Sequence, residues 1–532
     1  MDILGFDGQP KTATDLARRS ERANLAWIVA LTGLTGVLAL ILMRSGSITS
    51  QTHGPSPALL GWLIYLLGAA VILYRPRYGV YLIVFLTLAG DSVLAPWYPF
   101  AKNFSSQESL LFVDSALIIS PLETFLVLTL LSWLGRGAMR RKLQFTTGVL
   151  FWPAIVFIAF ITFGLAYGLG TGGIVNAGLW EARAIFYLLV MLVLTGNLVR
   201  TRAHVSQLLW AAMLALFVEG VAGSLYYVFE LEMDLSRAES ITEHAAAIHM
   251  NTLFVLAIAA WLYKASPTKR YGLPLLLPCV ALTYLATQRR AAFVGLAVAL
   301  ILIAFALYHE NRRAFGLIAP PLALLGLAYL AAFWNASGAL GQPARAIKSV
   351  LVTDAASNRD YLSNIYRVVE NINIGFTIRN APLTGVGFGQ KFYIIVPMPD
   401  ISFFKWWEYI THNSILWIWM KAGAGGFLSM LMLIGLAISA GVRALWRMPP
   451  GDLRAAALTA TIYLVMHFLY AYVDMSWDGR SMVYVGAMMG LINSLELIAS
   501  RPVALPRKRW RWQPDPPLTP GLRPLPSEEL GL

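Results

Sequence analysis

Long apolar runs alternate with short polar segments along most of the 532-residue chain. A run of about 20 apolar residues is what an α-helix needs to cross the hydrocarbon core of a bilayer. Such runs predict an all-α fold, a polytopic transmembrane bundle of about 12–14 helices. The predicted helices begin near Asn24, Pro57, Tyr78, Leu117, Val149, Ala184, Val205, Ala246, Gly272, Ala291, Ala314, Asn413, Ala455 and Ser481.

One long polar stretch, residues 335–411, interrupts this alternation, and basic residues indicate its side of the membrane. Most of the 41 Lys and Arg residues lie in the N-terminal segment, in alternate short loops and in the C-terminal tail. Cytoplasmic loops carry such an excess. We therefore expect a cytoplasmic segment 1–23, a membrane domain 24–499 containing the large periplasmic loop 335–411, and a disordered basic, proline-rich cytoplasmic tail 500–532 that touches membrane lipids.

Composition and charge support a membrane protein and argue against a nucleic-acid partner. Hydrophobic residues make up 58% of the chain, and the mean hydropathy is +0.63. The net charge of +13 would suit nucleic acid if it formed a stripe. The basic residues instead punctuate the apolar segments, which is the distribution of a polytopic membrane protein.

Two glycine patterns stand near the end of the polar stretch. In the first, Pro382 is followed by Gly385, Gly387 and Gly389 at alternate positions. Each glycine can take a positive φ or admit another backbone, so the spacing predicts a tight loop that approaches another segment closely.

The second pattern is His412-Asn413, then nine residues, then Gly423 and Gly426. On a continuous helix, His412, Trp419, Gly423 and Gly426 would share one stripe. We therefore predict that Asn413, Gly423 and Gly426 form a helix-packing motif. Its glycines would admit a partner helix, and His412 would lie at the membrane mouth.

His-Asn, nine residues and Gly-x-x-Gly together resemble the signature of the O-antigen ligase and polymerase superfamily of bacterial membrane glycosyltransferases. Arg367 and the segment 382–387 look like the large extracytoplasmic loop of that family, with Asn371 where the family often has Trp. The resemblance implies a donor glycan on undecaprenyl pyrophosphate. It implies lipid A-core or a glycan as acceptor, and a protein acceptor in a third branch.

Paired arginines form the first candidate for binding the pyrophosphate. Arg289 and Arg290 join two apolar runs on the predicted outer face. They could snorkel to lipid phosphates, or they could clamp a pyrophosphate, because guanidinium offers phosphate oxygens a bidentate fork. Gln288 to Phe293 looks like the family's Ser-Arg-small-small-aromatic patch, which makes Arg290 the matching arginine.

Two further arginines are weaker candidates for the same role. Arg183, at the start of a predicted helix, resembles a second arginine that the family uses in phosphate binding, although an exposed pair with Glu181 would also explain it. Arg367 could equally be a solvated residue of an amphipathic helix over 358–374.

His412 is the candidate general base. An interfacial histidine is often only a polar residue at a helix mouth, but a neutral imidazole can take a proton from a sugar hydroxyl near neutral pH. Glu408, four residues earlier, could orient the ring.

Other polar residues of the apolar runs carry fewer functional signals. Lys421 is expected to face the bundle interior and to meet a carboxylate or a carbonyl. His244 and His249 are five residues apart, not the four that one helix face requires, so no zinc site and no cofactor are predicted.

We interpret the sequence as an inverting, metal-independent glycosyltransferase of the bacterial inner membrane whose active site faces the periplasm. Ligation to lipid A-core and polymerisation share the site chemistry, so both stay open. The alternative is a transporter or flippase of lipid-linked oligosaccharide. Transporters tend to show paired halves with broken helices, and the sequence shows no such pairing.

Overall fold

The computed structural model describes residues 57–139, 143–238, 240–336, 338–351, 358–399 and 404–500. The predicted segment 1–23, the predicted helix from Asn24 and residues 501–532 of the predicted tail lie outside these ranges. Within the ranges, the regular structure is helical throughout and contains no β-strand. The all-α prediction is therefore confirmed for this part of the chain.

The described ranges contain fifteen α-helices connected mostly by short loops. They are α1 (Pro57–Tyr74), α2 (Arg77–Ala89), α3 (Pro121–Met139), α4 (Phe151–Gly170), α5 (Val175–Leu198), α6 (Arg202–Leu225), α7 (Ala246–Leu262), α8 (Pro267–Ala286), α9 (Arg290–Glu310), α10 (Arg312–Phe333), α11 (Gln342–Leu351), α12 (Asn358–Asn380), α13 (Ser414–Arg447), α14 (Asp452–Ala471) and α15 (Gly479–Ser500).

Nine of the helices described are long and apolar enough to cross a membrane, and α1, α2 and α7 are shorter apolar helices. The chain is thus a multi-pass membrane protein. One predicted boundary is wrong: α5 begins at Val175, not near Ala184. Arg183 consequently lies about two turns inside the helix instead of at its start.

Among the helices described, α5 and α15 make the most extensive contact. Small residues make this approach possible. A Cβ at Gly486 would lie 2.4 Å from the carbonyl oxygen of Leu188, and one at Gly490 would lie 2.7 Å from that of Leu192. Close backbone contact of this kind is a main source of helix association in membranes.

The long polar stretch contains two helices, α11 and α12. The amphipathic helix predicted over 358–374 is present but extends to Asn380, so Arg379 is helical. One face of α12 is exposed and includes Leu362 and Val368, whereas Glu370 and Asn373 on the other face are buried. The buried face carries polar groups toward the start of α13.

The chain after α12 returns as the predicted tight loop and enters a break in α13. Gly385, Gly387 and Gly389 have φ values of 69°, 91° and 82°. The N–H of Val386 donates to the carbonyl oxygen of Met420 at 2.8 Å, and the N–H of Ala424 donates to that of Pro382 at 3.0 Å. The loop therefore supplies hydrogen bonds on both sides of the break.

Gly423 is the break itself, with φ 67° and ψ −173° inside α13. A Cβ there would lie 2.0 Å from the carbonyl oxygen of Leu383. Gly423 thus admits a loop, whereas the sequence pattern predicted a partner helix. The predicted continuous stripe is also wrong, because α13 begins only at Ser414, after His412. Gly426 lies beyond the break, where a Cβ would be 2.4 Å from that of Ala422 in the same helix and 3.8 Å from Phe160 of α4.

Gly423→Ala should prevent normal folding, because the added methyl group meets the loop backbone and alanine disfavours this φ. The strained φ alone costs about 1–3 kcal/mol. Gly435→Ala is the matched control, since a Cβ at this other α13 glycine meets no described atom within 4 Å. Folded yield and Tm in detergent are the measurements. Equal values for the two variants would contradict the insertion of the loop.

Candidate active site

His412 lies immediately before α13 and is held by Glu370 of α12. The His412 backbone N–H donates to Glu370 Oε2 at 2.9 Å, and His412 Nδ1 is 3.2 Å from Glu370 Oε1. The Glu370 side chain is only 1% exposed, whereas that of His412 is 24% exposed. A carboxylate on Nδ1 fixes the tautomer that carries its proton there and leaves the Nε2 lone pair available.

Glu408, which the sequence suggested as the residue that orients the ring, has a different partner. Its Oε2 lies 2.5 Å from Lys391 Nζ. Sequence reasoning missed Glu370 because it precedes His412 by 42 residues and meets it only when α12 packs beside α13. The aromatic ring of Tyr366, one turn earlier on α12, packs against His412 with centroids 5.3 Å apart.

Asn413 caps α13. Its Oδ1 accepts the N–H of Leu416 at 3.1 Å, and its Nδ2 donates to Asn371 Oδ1 at 3.1 Å. Asn413 therefore fixes the start of the helix and joins it to α12, which is not the helix-packing contact that the sequence predicted.

A second histidine, His244, faces His412. The two ring centroids are 6.4 Å apart, and His244 Nδ1 lies 2.8 Å from Asp474 Oδ1. Asp474 is 3% exposed, and the Tyr470 hydroxyl is 3.1 Å from its Oδ2. The sequence gives no signal for this pair, because His244 and Asp474 are 230 residues apart.

The charges around Asp474 keep it ionised. Burial by itself raises the pKa of a carboxyl group. The nearby His244, Arg289 and His412 outweigh that effect and hold the pKa of Asp474 below its ordinary range. The carboxylate is therefore the stable form near neutral pH.

Arg289, Arg290 and Arg367 differ in how they relate to the cluster of His244, His412 and Asp474. Arg289, just before α9, acts electrostatically on Asp474, and Arg367 of α12 acts on the Tyr470 hydroxyl beside it. Arg290 instead donates to Ser349 of α11 and Asn364 of α12, both at 3.1 Å. Arg289 and Arg367 thus act electrostatically on the Asp474–Tyr470 part of the cluster, and Arg290 joins three helices.

Arg183 lines a neighbouring cavity of about 410 Å³. Its Nη1 donates to the carbonyl oxygen of Ile118 at 3.2 Å and lies 4.0 Å from Glu123 Oε1. The cavity is also lined by His244 and by Thr411 and Ser414, which flank the His412-Asn413 pair in sequence. Its aromatic lining residues are Phe100, Trp180, Tyr187, Phe404, Trp417 and Trp477.

The suggested pairing of Arg183 with Glu181 is wrong, because Glu181 pairs with Lys421. Glu181 Oε1 and Lys421 Nζ are 2.8 Å apart, and neither side chain has any exposed surface. Glu181 Oε2 also accepts the N–H of Gly389 at 2.6 Å, and Lys421 contacts the carbonyl oxygen of Gln390. The expectation that Lys421 meets a buried carboxylate or carbonyl is confirmed on both counts.

A buried arginine supports the segment that carries His244. Arg480 lies 3.1 Å from Asp91, 3.2 Å from Glu243 and 2.9 Å from Glu219. Glu243 also accepts the N–H of Ser92 at 2.9 Å and donates its own N–H to Asp91 at 2.7 Å. The residue next to His244 is therefore fixed in position by charged partners from two other parts of the chain, Asp91 and Arg480.

The fold and these contacts define a multi-pass membrane protein with two histidine–carboxylate pairs and several arginines at one end of a helical bundle. Residues 274–431 match the family model described as O-antigen ligase. The resemblance predicted from the motifs is thereby confirmed, and the match supports a membrane glycosyltransferase of the O-antigen ligase type. No curated protein matches the chain. The matched region contains Arg289, Arg290, Arg367 and His412; Arg183, His244 and Asp474 lie outside it.

Lys421→Met should sharply reduce the folded yield, because it leaves the Glu181 carboxylate buried without its cation. Breaking one side of a buried pair costs about 3–5 kcal/mol. The double variant Lys421→Met/Glu181→Gln should recover much of the yield, since it removes both charges. Arg447→Met is the control, because the Arg447–Glu496 pair has side chains 65% and 47% exposed. An equal loss in Lys421→Met and Arg447→Met would show that the buried pair is not important for folding.

Proposed function

We propose that this protein transfers a glycan from undecaprenyl pyrophosphate to an acceptor hydroxyl at the periplasmic face of the bacterial inner membrane. The observation that supports this most directly is the His412–Glu370 pair, with Arg289 and Arg367 acting electrostatically on the neighbouring Asp474 and Tyr470. It combines a proton acceptor with fixed cations at one end of the bundle. The predicted outward orientation of the segment 335–411 places that end in the periplasm.

His412 serves as the general base. Glu370 holds Nδ1, so Nε2 takes the proton of the acceptor hydroxyl as its oxygen attacks the anomeric carbon. The buried carboxylate then stabilises the imidazolium that forms, the role such a carboxylate has in a catalytic triad. Attack opposite the departing pyrophosphate inverts the anomeric centre.

The arginines bind and stabilise the pyrophosphate. Arg289 and Arg367 act near the histidines, and Arg183 supplies a guanidinium inside the cavity. The N-termini of α13 and α15 border the same cavity through Ser414 and Gly479, and helix N-termini favour anions. Arg290 contributes mainly by joining α9 to α11 and α12.

The carboxylates that line the cavity are compatible with an anionic ligand because they have partners. Glu181 pairs with Lys421 and Glu243 with Arg480. Asp478 accepts the N–H of Ser481 at 2.8 Å, at the start of α15. The aromatic residues of the cavity provide apolar surface for the first sugar and for the lipid end of the donor.

A transporter of lipid-linked oligosaccharide remains the alternative, and α13 does contain the kind of break that transporters use. In transporters, such a break exposes backbone groups to the substrate. Here the loop after α12 hydrogen-bonds to the backbone on both sides of Gly423. The break therefore already has a structural role. A transferase also explains the His412–Glu370 pair better than a transporter does.

Transfer of a labelled glycan in reconstituted vesicles tests the assignment. His412→Gln should lose about 10²–10⁴-fold in rate, since an amide cannot accept the proton. Glu370→Gln should lose activity by a similar factor, because its NH₂ group favours the wrong imidazole tautomer. Glu408→Gln is the matched control and should stay near the wild-type rate, because Glu408 pairs with the exposed Lys391. Normal transfer by His412→Gln would disprove the role of the base.

The proposed reaction requires no metal, because guanidinium groups do the charge stabilisation that a cation would otherwise supply. The two carboxylates nearest the histidines, Glu370 and Asp474, are each engaged by an imidazole. The same vesicle assay should give equal rates with and without EDTA. A loss of activity that magnesium or manganese restores would contradict this proposal.

A further inference from the structure

The His244–Asp474 pair has no part in the mechanism proposed so far, yet the ring of His244 lies next to that of His412. Both imidazoles are held through Nδ1 by a buried carboxylate. In both, the arrangement leaves Nε2 for a ligand. The ring centroids are 6.4 Å apart, so the two imidazoles are close enough to act on one substrate.

The two histidines differ in what they border. His244 lines the same cavity as Arg183, and its side chain is 39% exposed. His412 is not among the residues that line this cavity, although its neighbours Thr411 and Ser414 are. An imidazole that shares a cavity with a guanidinium is placed to bind an anion, whereas one outside it is free to meet a neutral hydroxyl.

We propose that His244, held as an imidazolium by Asp474, donates Nε2–H to the departing pyrophosphate while His412 acts on the acceptor. This inference rests on the proposed function. The acceptor oxygen forms its bond to the anomeric carbon, and the bond from that carbon to the phosphate oxygen breaks with its electron pair. The acceptor proton goes to His412 Nε2 and leaves with solvent. His244 keeps its proton and stabilises the new charge by a hydrogen bond.

The groups around His244 are consistent with this charge state. Asp474 is an ionised carboxylate, and Glu243 adjoins His244 in sequence with Arg480 as its partner. Among the other titratable or charged groups, the ring of His412 lies next to that of His244, and the Tyr470 hydroxyl donates to the His244 carbonyl oxygen. The remaining ones share its cavity: Lys102, Glu181, Arg183, Tyr187, Asp478 and Arg480. Asp474 thus contacts the imidazole directly, and Arg183 lines the cavity in which the pyrophosphate would bind.

A purely structural role for His244 would join its loop to Asp474 without touching the substrate. The two roles differ in their pH dependence. If His244 must be protonated and His412 neutral, the transfer rate is bell-shaped in pH. A structural His244 would leave only the acidic limb, which belongs to His412.

The test measures transfer rates in vesicles from pH 5 to pH 9 for wild type, His244→Gln and His244→Ala. We expect His244→Gln to lose on the order of tenfold to a hundredfold at its optimum, since an uncharged donor replaces a charged one. It should also lose the alkaline limb and keep the acidic one. His309→Gln is the matched control and should keep the wild-type profile. His309 is an exposed histidine at the far end of α9, roughly 28 Å along that helix from Arg290.

A second measurement follows binding of the leaving group instead of transfer. Undecaprenyl pyrophosphate without a glycan should inhibit the wild-type enzyme more strongly as pH falls through the imidazole range. His244→Ala should weaken this inhibition on the order of tenfold at pH 6, and His412→Ala should bind the same probe as wild type does. Inhibition that is independent of pH, or equal in wild type and His244→Ala, would overturn the inference.

The outcomes separate the two proposals. If wild type transfers glycan and His412→Gln does not, the proposed function stands. An unchanged pH profile in His244→Gln then refutes only the role of His244. If wild type does not transfer glycan from the pyrophosphate donor at all, the proposed function itself is wrong. Monodispersity and Tm of each variant exclude loss of folding as the cause, and the wild-type inhibition profile remains informative even if a variant fails to fold.

Discussion

Lys421 and Glu181 form an ion pair with no exposed side-chain surface, and the active end of the bundle depends on it. Two charges are costly to bury unless they meet with good geometry and further hydrogen bonds. Both conditions hold, because Gly389 donates to Glu181 and Gln390 accepts from Lys421. The pair thereby ties α5, α13 and the loop after α12 to one another at a single point.

The proposed machinery branches from these three segments. Arg183 follows Glu181 by two residues on α5, and α13 begins just after the His412-Asn413 pair. The loop continues directly from α12, which carries Glu370 and Arg367. A shift of the loop would move α12 relative to α13 and so separate His412 from its carboxylate. The glycines of the loop and Gly423 are thus structural requirements of the site, although none of them touches a reacting group.

The sequence predicts the local features of this protein well. Apolar runs of spanning length, the amphipathic helix over 358–374 and the tight loop with three glycines all follow from periodicity and residue type, and the structure contains them. His412 stands out because its motif is contiguous. What the sequence cannot predict is pairing between distant segments. Glu370 and Asp474 meet their histidines across 42 and 230 residues, and no spacing rule covers such distances.

The break in α13 shows a different reason for failure. A helix is the default for an apolar run, and Gly423 alone is compatible with a helical conformation at a cost of only about 1 kcal/mol. Only the incoming loop, with its hydrogen bonds to Met420 and Ala424, makes the positive φ favourable. The suggested pairing of Glu181 with Arg183 failed for the same reason. Its partner, Lys421, belongs to another helix, and only the tertiary fold brings the two together.

The two histidine–carboxylate pairs place their charges in a consistent order. Glu370 and Asp474 are nearly inaccessible to solvent, at 1% and 3% exposure, whereas the side chains of His412 and His244 are 24% and 39% exposed. Each carboxylate can therefore act on a ligand only through its imidazole. At these two pairs, a sugar hydroxyl or a phosphate would meet ring nitrogens instead of Glu370 or Asp474, whose charge would repel the pyrophosphate. A site with buried carboxylates can therefore bind an anionic donor and still contain a general base.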